Sequence, residues 1–196
     1  MRDPIAEFEI VEGTWLFDKV QQKKVLPFQL KDSLRYECVK QKGESYTDGM
    51  IDALDAELAV IEALPQGGCA LRGDKIEKLF AKNPRKSVDI YTVIDERILL
   101  IECKYKAYPE TKIVSSSAVF NDEIVIKFEN AKSFLSTQSG KEISKEFIVL
   151  FNCESVEQVK SMFLRLKLED DSGRLYSEYR ILDTKMFQSQ YFSCFR

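Results

Sequence analysis

One stretch constrains the fold of this chain more than any other: Ser87-Val88-Asp89-Ile90-Tyr91-Thr92-Val93-Ile94-Asp95-Glu96-Arg97-Ile98-Leu99-Leu100-Ile101-Glu102-Cys103-Lys104. Two runs of β-branched, aromatic and aliphatic residues are separated only by Asp95-Glu96, which predicts strands over 87–94 and 97–104 joined as an antiparallel hairpin. With Ile94 opposite Arg97, paired residue numbers sum to 191, and Asp89 falls opposite Glu102. Lys104, two residues beyond Glu102, projects from the same face. The turn lacks the Gly or Asn that a two-residue connection prefers. Apart from these polar positions both strands are apolar on both faces, the pattern of interior strands covered on each side.

The rest of the chain supplies the cover. Residues 5–12 and 34–40 read as strands, with irregular chain containing Pro27 between them. A helix is predicted over 48–64 from the stripe Ile51, Leu54, Leu58, Ile61 and Leu64, ended by Pro65 and Gly67-Gly68. A second helix over 73–82 carries Ile76, Leu79 and Phe80 and stops at Asn83-Pro84. A polar loop spans 106–118, and 119–128 fits neither the helical nor the strand period before a helix that ends near Ser136. A buried strand is expected over 146–152, and an amphipathic helix over 154–168 with Val156, Val159, Phe163 and Leu166 inward. Asp170-Asp171-Ser172-Gly173 then makes a turn before a last strand over 179–183. Strands alternating with helices after residue 72 predict an α/β layer structure. At 196 residues the chain suits a single domain, with 1–70 as an N-terminal extension of strands plus an acidic helix and 71–196 as the core.

Composition removes several kinds of chemistry. There is no histidine, which excludes Ser-His and Cys-His nucleophilic sites and histidine-bound zinc. The cysteines Cys38, Cys69, Cys103, Cys153 and Cys194 are scattered and form no C-x-x-C, so reduced thiols are expected rather than a disulfide or zinc scaffold. Residues 1–7 lack the apolar core of a signal peptide, and the run Ile98-Leu99-Leu100-Ile101 is too short to span a bilayer. The expectation is a cytoplasmic protein without membrane association.

Asp89 opposite Glu102 is then the arrangement to explain. Two facing carboxylates in a covered sheet repel one another and resist desolvation. A metal ion, the Lys104 ammonium, or protonation of one acid must compensate. Oxygen ligation without His or Cys points to Mg²⁺ or Mn²⁺. A hard cation between Asp89 and Glu102, with an amine alongside, suits activation of water against a phosphodiester. The alternative is plain: Asp89 at a strand end, and Glu102 with Lys104 as a solvated pair at the sheet rim.

Asp89 and Ile101-Glu102-Cys103-Lys104 resemble the motif of the PD-(D/E)xK nuclease superfamily, nearest to archaeal-type Holliday junction resolvases. The resemblance covers about 72–165. It implies a restriction-endonuclease-like α/β fold with a mixed central sheet flanked by helices, and metal-dependent endonuclease activity on DNA. It implies that Asp89, Glu102 and the backbone carbonyl of Cys103 bind Mg²⁺ or Mn²⁺, and that Lys104 orients or deprotonates the attacking water. Relatives often begin with a helix reading G-x-x-x-E; Gly73 and Glu77 match that spacing, which makes Glu77 a candidate outer ligand. Two departures stand out. Val88 replaces the proline that names the motif, and only 83–86 is available for the strand expected between the first helix and the Asp-bearing strand. Either helix 48–64 acts as that first helix, or an N-terminal strand from 5–40 fills the gap.

Charge distribution adds a further expectation. Residues 72–112 hold ten basic and seven acidic groups, a local +3 in a chain of net charge -3. Lys82, Arg85, Lys86 and Lys106 are the candidate phosphate contacts. Helix 48–64, by contrast, presents Asp48, Asp52, Asp55, Glu57 and Glu62, a polar side without Lys or Arg that is solvated or faces a basic protein partner. A homodimer would provide two sites for two strands. Two further functional readings share the same residues: a catalytically silent nuclease-like binding or assembly subunit, and an RNA-cleaving nuclease.

Overall fold

A computed structural model describes residues 28–44, 48–65, 67–80, 83–95, 97–106, 116–138, 142–153, 155–169 and 176–192. These residues form β1 (Phe28–Gln29), α1 (Leu30–Gly43), α2 (Asp48–Glu62), β2 (Cys69–Arg72), α3 (Gly73–Phe80), β3 (Ile90–Ile94) and β4 (Arg97–Lys104). There follow α4 (Ser117–Phe120), a π turn (Asn121–Val125), α5 (Ile126–Gln138), β5 (Ile143–Phe151), α6 (Val156–Glu169), β6 (Tyr179–Leu182) and α7 (Thr184–Tyr191). The six strands lie in chain order in one mixed sheet. β1 to β4 pair antiparallel with their neighbours, and β4, β5 and β6 run parallel. The expected α/β architecture with a mixed, helix-flanked sheet is present. The expected strand over 5–12 and the turn at 170–173 lie outside the described residues.

Alternation along β4 divides the core. Ile98 and Leu100 face α5 and α6, where they join Phe128, Leu135, Phe147, Val149 and Phe163. Leu99, Ile101 and Cys103 face α1, α2 and α7, with Leu34, Leu54, Ile61, Ile148 and Phe187. β4 is therefore covered on both faces, as its two-sided apolar sequence requires.

The hairpin register is the expected one: Ile94 pairs with Arg97 and Ile90 with Ile101. Asp95 takes φ 45°, a left-handed conformation that Asp tolerates better than most residues, and so closes the turn without glycine.

One expectation needs correction, and two elements were not foreseen. Residues 34–40, read as a strand, lie inside helix α1. The buried positions Leu30, Ser33, Leu34, Glu37, Cys38 and Gln41 do follow helical spacing, but three of them are polar and so break the apolar stripe that marks a helix. The strand β2 was hidden by its brevity, and it pairs with β3 through Leu71 and Tyr91. Helix α7 follows the expected last strand directly; Asp183 starts it, its Oδ1 accepting from the Met186 N–H at 2.7 Å.

The acidic side of α2 is also not uniformly solvated. Glu57 is fully buried. Lys42 pairs with Asp55, and Arg35 with Glu62 at 2.5 Å, so α1 supplies basic partners within the chain. Among the described residues no helix is long and apolar enough to cross a membrane.

Candidate functional site

The site forms where β3 begins and β4 ends. Asp89 immediately precedes β3, and the register places it beside Glu102 on the sheet face that carries Leu100 and Tyr91. Two backbone contacts fix it. Its carbonyl accepts the Gly73 N–H at 2.9 Å, and its Oδ2 accepts the Cys103 N–H at 2.8 Å. Gly73 is required here for close approach: a Cβ at that position would lie 2.2 Å from the Val88 carbonyl oxygen. Val88 itself is buried, filling the position of the motif's proline with core packing.

Glu102 is fully buried. Its Oε1 receives the Lys104 ammonium at 2.9 Å and that of Lys127 on α5. Its Oε2 is buried without a hydrogen-bond partner among the described residues. Burial, reinforced by the negative charge of Asp89, raises its pKa to about 7 against the pull of the two lysines. Lys104 also reaches towards Glu123 of the π turn, at 4.0 Å.

The structure adds residues that the sequence did not point to. α1 runs under the opposite face of β4. Gln41 Nε2 donates to the Cys103 carbonyl at 2.9 Å, and Gln41 Oε1 accepts the Lys106 N–H at 3.0 Å. Glu37, one turn earlier and almost fully buried, has its pKa raised to about 7, first by burial and then by the charge of Asp89; Lys40, 3.1 Å away, opposes this. Reading 34–40 as a strand concealed Glu37 and the helix that carries Gln41. Lys127 was concealed because 119–128 has no clean period: a π turn adds a residue to the repeat just before it.

The remaining candidates divide. Arg85 and Lys86 are exposed on the segment leading into Asp89, and the Lys86 carbonyl accepts from Asn130 Nδ2 of α5 at 2.9 Å. Lys106 is exposed and pairs with Glu44 at 2.5 Å. Glu77 lies on α3, with its side chain outside what the structure describes, and Lys82 lies outside the described residues. Cys103 packs its side chain into the α1–α2 core, and burial raises its thiol pKa.

The donor chemistry fits a hard divalent cation. Asp89 and Glu102 are oxygen donors at neighbouring positions, Glu102 Oε2 is unpartnered although buried, and the Cys103 carbonyl has a second lone pair beside the one used by Gln41. Among the described residues no three His, Cys, Asp or Glu side chains gather into a metal-binding group, so the protein side chains would supply two carboxylates. Comparison with protein-family models, curated proteins and solved structures finds no match.

Proposed function

We propose that this chain is a divalent-cation-dependent nuclease of restriction-endonuclease-like architecture acting on DNA. The observation that carries the reading is the pair Asp89–Glu102 at adjoining strand ends, with a buried, unpartnered Glu102 Oε2 beside the Lys104 ammonium. The element order supports it. In chain order come helix α2, strand β2, the short helix α3, the antiparallel strands β3 and β4, a crossover of α4, the π turn and α5, and the parallel strand β5. β2 supplies the strand that 83–86 could not, and the helix over 48–62 stands before it.

Asp89 and Glu102, with the Cys103 carbonyl, would hold Mg²⁺ or Mn²⁺. The bound cation would lower the pKa of water and offset the charge that builds on phosphate oxygens during in-line attack. Lys104 stands next to the acid pair with its ammonium partly open to solvent, placed to orient the attacking water and relieve its proton. Glu37, close enough to Asp89 to sense its charge, stands beside Glu77 as a second candidate for an outer carboxylate.

A second reading, a catalytically silent scaffold, draws on one observation: Lys104 and Lys127 already compensate the Glu102 charge within the protein. Cleavage assays separate the two. Labelled linear, circular and single-stranded DNA, and RNA, are incubated with Mg²⁺ or Mn²⁺, using wild type, Lys104→Ala and an EDTA control. The nuclease reading predicts products that EDTA abolishes and that Lys104→Ala reduces by about 10²-fold. No product from any substrate with either metal favours the scaffold, and products from RNA alone change the substrate class.

A further inference from the structure

Glu102 meets two ammonium groups on the same oxygen. Lys104 belongs to the strand motif; Lys127 comes from the first turn of α5, across the crossover, and no motif required it. Both lysines remain partly open to solvent, at 15% and 18% side-chain exposure, whereas Glu102 is at 0%. The lysines are thus the face of this cluster that an incoming anion meets. Burial disfavours the Lys127 ammonium, but Glu102 and then Asp89 outweigh it, keeping the group charged. One turn along α5, Asn130 holds the backbone of the Lys86 segment, and so exposed Arg85 and Lys86 lie on the same flank as Lys127.

Resting on the phosphodiesterase reading, we propose that Lys127 is a phosphate-binding residue. Its ammonium passes from Glu102 Oε1 to a non-bridging oxygen of the substrate phosphate when a divalent cation shares the carboxylates. The nucleic-acid backbone then runs along α5 towards Lys86 and Arg85. A lysine suits this exchange: its compact charge trades one oxyanion for another without the fixed fork of an arginine. Every proton stays in place, since the ammonium remains charged throughout.

The test measures binding as well as turnover. A short labelled DNA duplex is titrated by anisotropy in Ca²⁺ over a range of salt concentrations, with wild type, Lys127→Met and Lys127→Arg, and Mn²⁺ binding is followed in parallel. The proposal predicts that Lys127→Met weakens duplex binding roughly tenfold and lowers the log–log salt slope by about one phosphate contact, while Mn²⁺ binds no more weakly. Lys127→Arg, which keeps the charge, restores the slope. It also serves as the informative variant should Lys127→Met fail to fold, because a salt slope one contact smaller than wild type in Lys127→Arg would contradict a role based on charge. An unchanged slope in folded Lys127→Met overturns the proposal, as does weaker Mn²⁺ binding with an unchanged slope, which would make Lys127 a support for Glu102 only. Failure of the underlying reading shows separately, in wild type itself, as absence of both cleavage and Mn²⁺ binding.

Discussion

Among the described residues Glu102 and Glu57 are both completely buried, and their surroundings differ in kind. Glu102 lies near the end of β4 between Asp89 and two lysines; Glu57 sits on α2 against the turn after β5 and the start of α7. Each has one oxygen without a hydrogen bond in the described structure, and burial raises the pKa of each. The partners decide what each can do. Glu57 Oε2 accepts the Cys153 N–H at 3.1 Å, and Thr184 stands beside the carboxylate, so it ties α2 to the turn after β5 and the start of α7. Among the described residues Glu102 has no backbone donor; two long ammonium side chains reach it from solvent-accessible positions, and a second acid adjoins it. A buried carboxylate held by amides is a structural tie, whereas one held by exchangeable cations beside another carboxylate is equipped to bind an ion and release it.

The largest expected difference between the two lies in activity. Glu102→Gln should reduce metal-dependent cleavage by roughly 10²–10⁴-fold, as loss of a charged group central to the reaction does, while Glu57→Gln stays within about threefold of wild type. Equal losses in both variants would erase the distinction.

Next comes the backbone that places Asp89. Gly73→Ala drives a methyl group into the Val88 carbonyl and disturbs the N–H that the Asp89 carbonyl accepts. Urea denaturation should show a destabilisation of about 2–3 kcal/mol, typical of overpacking against a part that cannot yield. A stability unchanged from wild type would mean that α3 can withdraw without cost.

The smallest effect is on pH dependence. The folded state holds the Glu57 proton to higher pH than the unfolded chain does. Above the ordinary carboxylate range the unfolded chain therefore gains by releasing its proton first, and stability falls as pH rises through that window. Denaturation of Glu57→Gln at pH 5 and pH 8 should show a shallower fall than wild type. An identical fall would show that the Cys153 and Thr184 contacts fully offset burial.

The hairpin was legible in the sequence because its information is local. A two-residue gap and two apolar runs leave one register that keeps Asp89 and Glu102 together, and β3 and β4 adopt it. The contributions of α1 and α5 were not legible, for reasons that lie in the chain. In α1 the buried positions Glu37 and Gln41 are polar because they serve the Asp89 and Cys103 end of the sheet, and that service removes the apolar stripe. In α5 the π turn displaces the repeat at the point where Lys127 enters the site. Glu57 misled for the opposite reason: in a run of acids it reads as surface, and only the packing of α2 against the β5–α7 edge buries it. The sites where local pattern fails are those where a residue answers to a distant partner.

The most direct test of the account is calorimetric titration of Mn²⁺ into wild type, Glu57→Gln and Glu102→Gln. The account predicts saturable binding in wild type that Glu57→Gln retains and Glu102→Gln loses. Mn²⁺ binding that survives Glu102→Gln, or no binding by wild type, would contradict a metal centre at the end of β4.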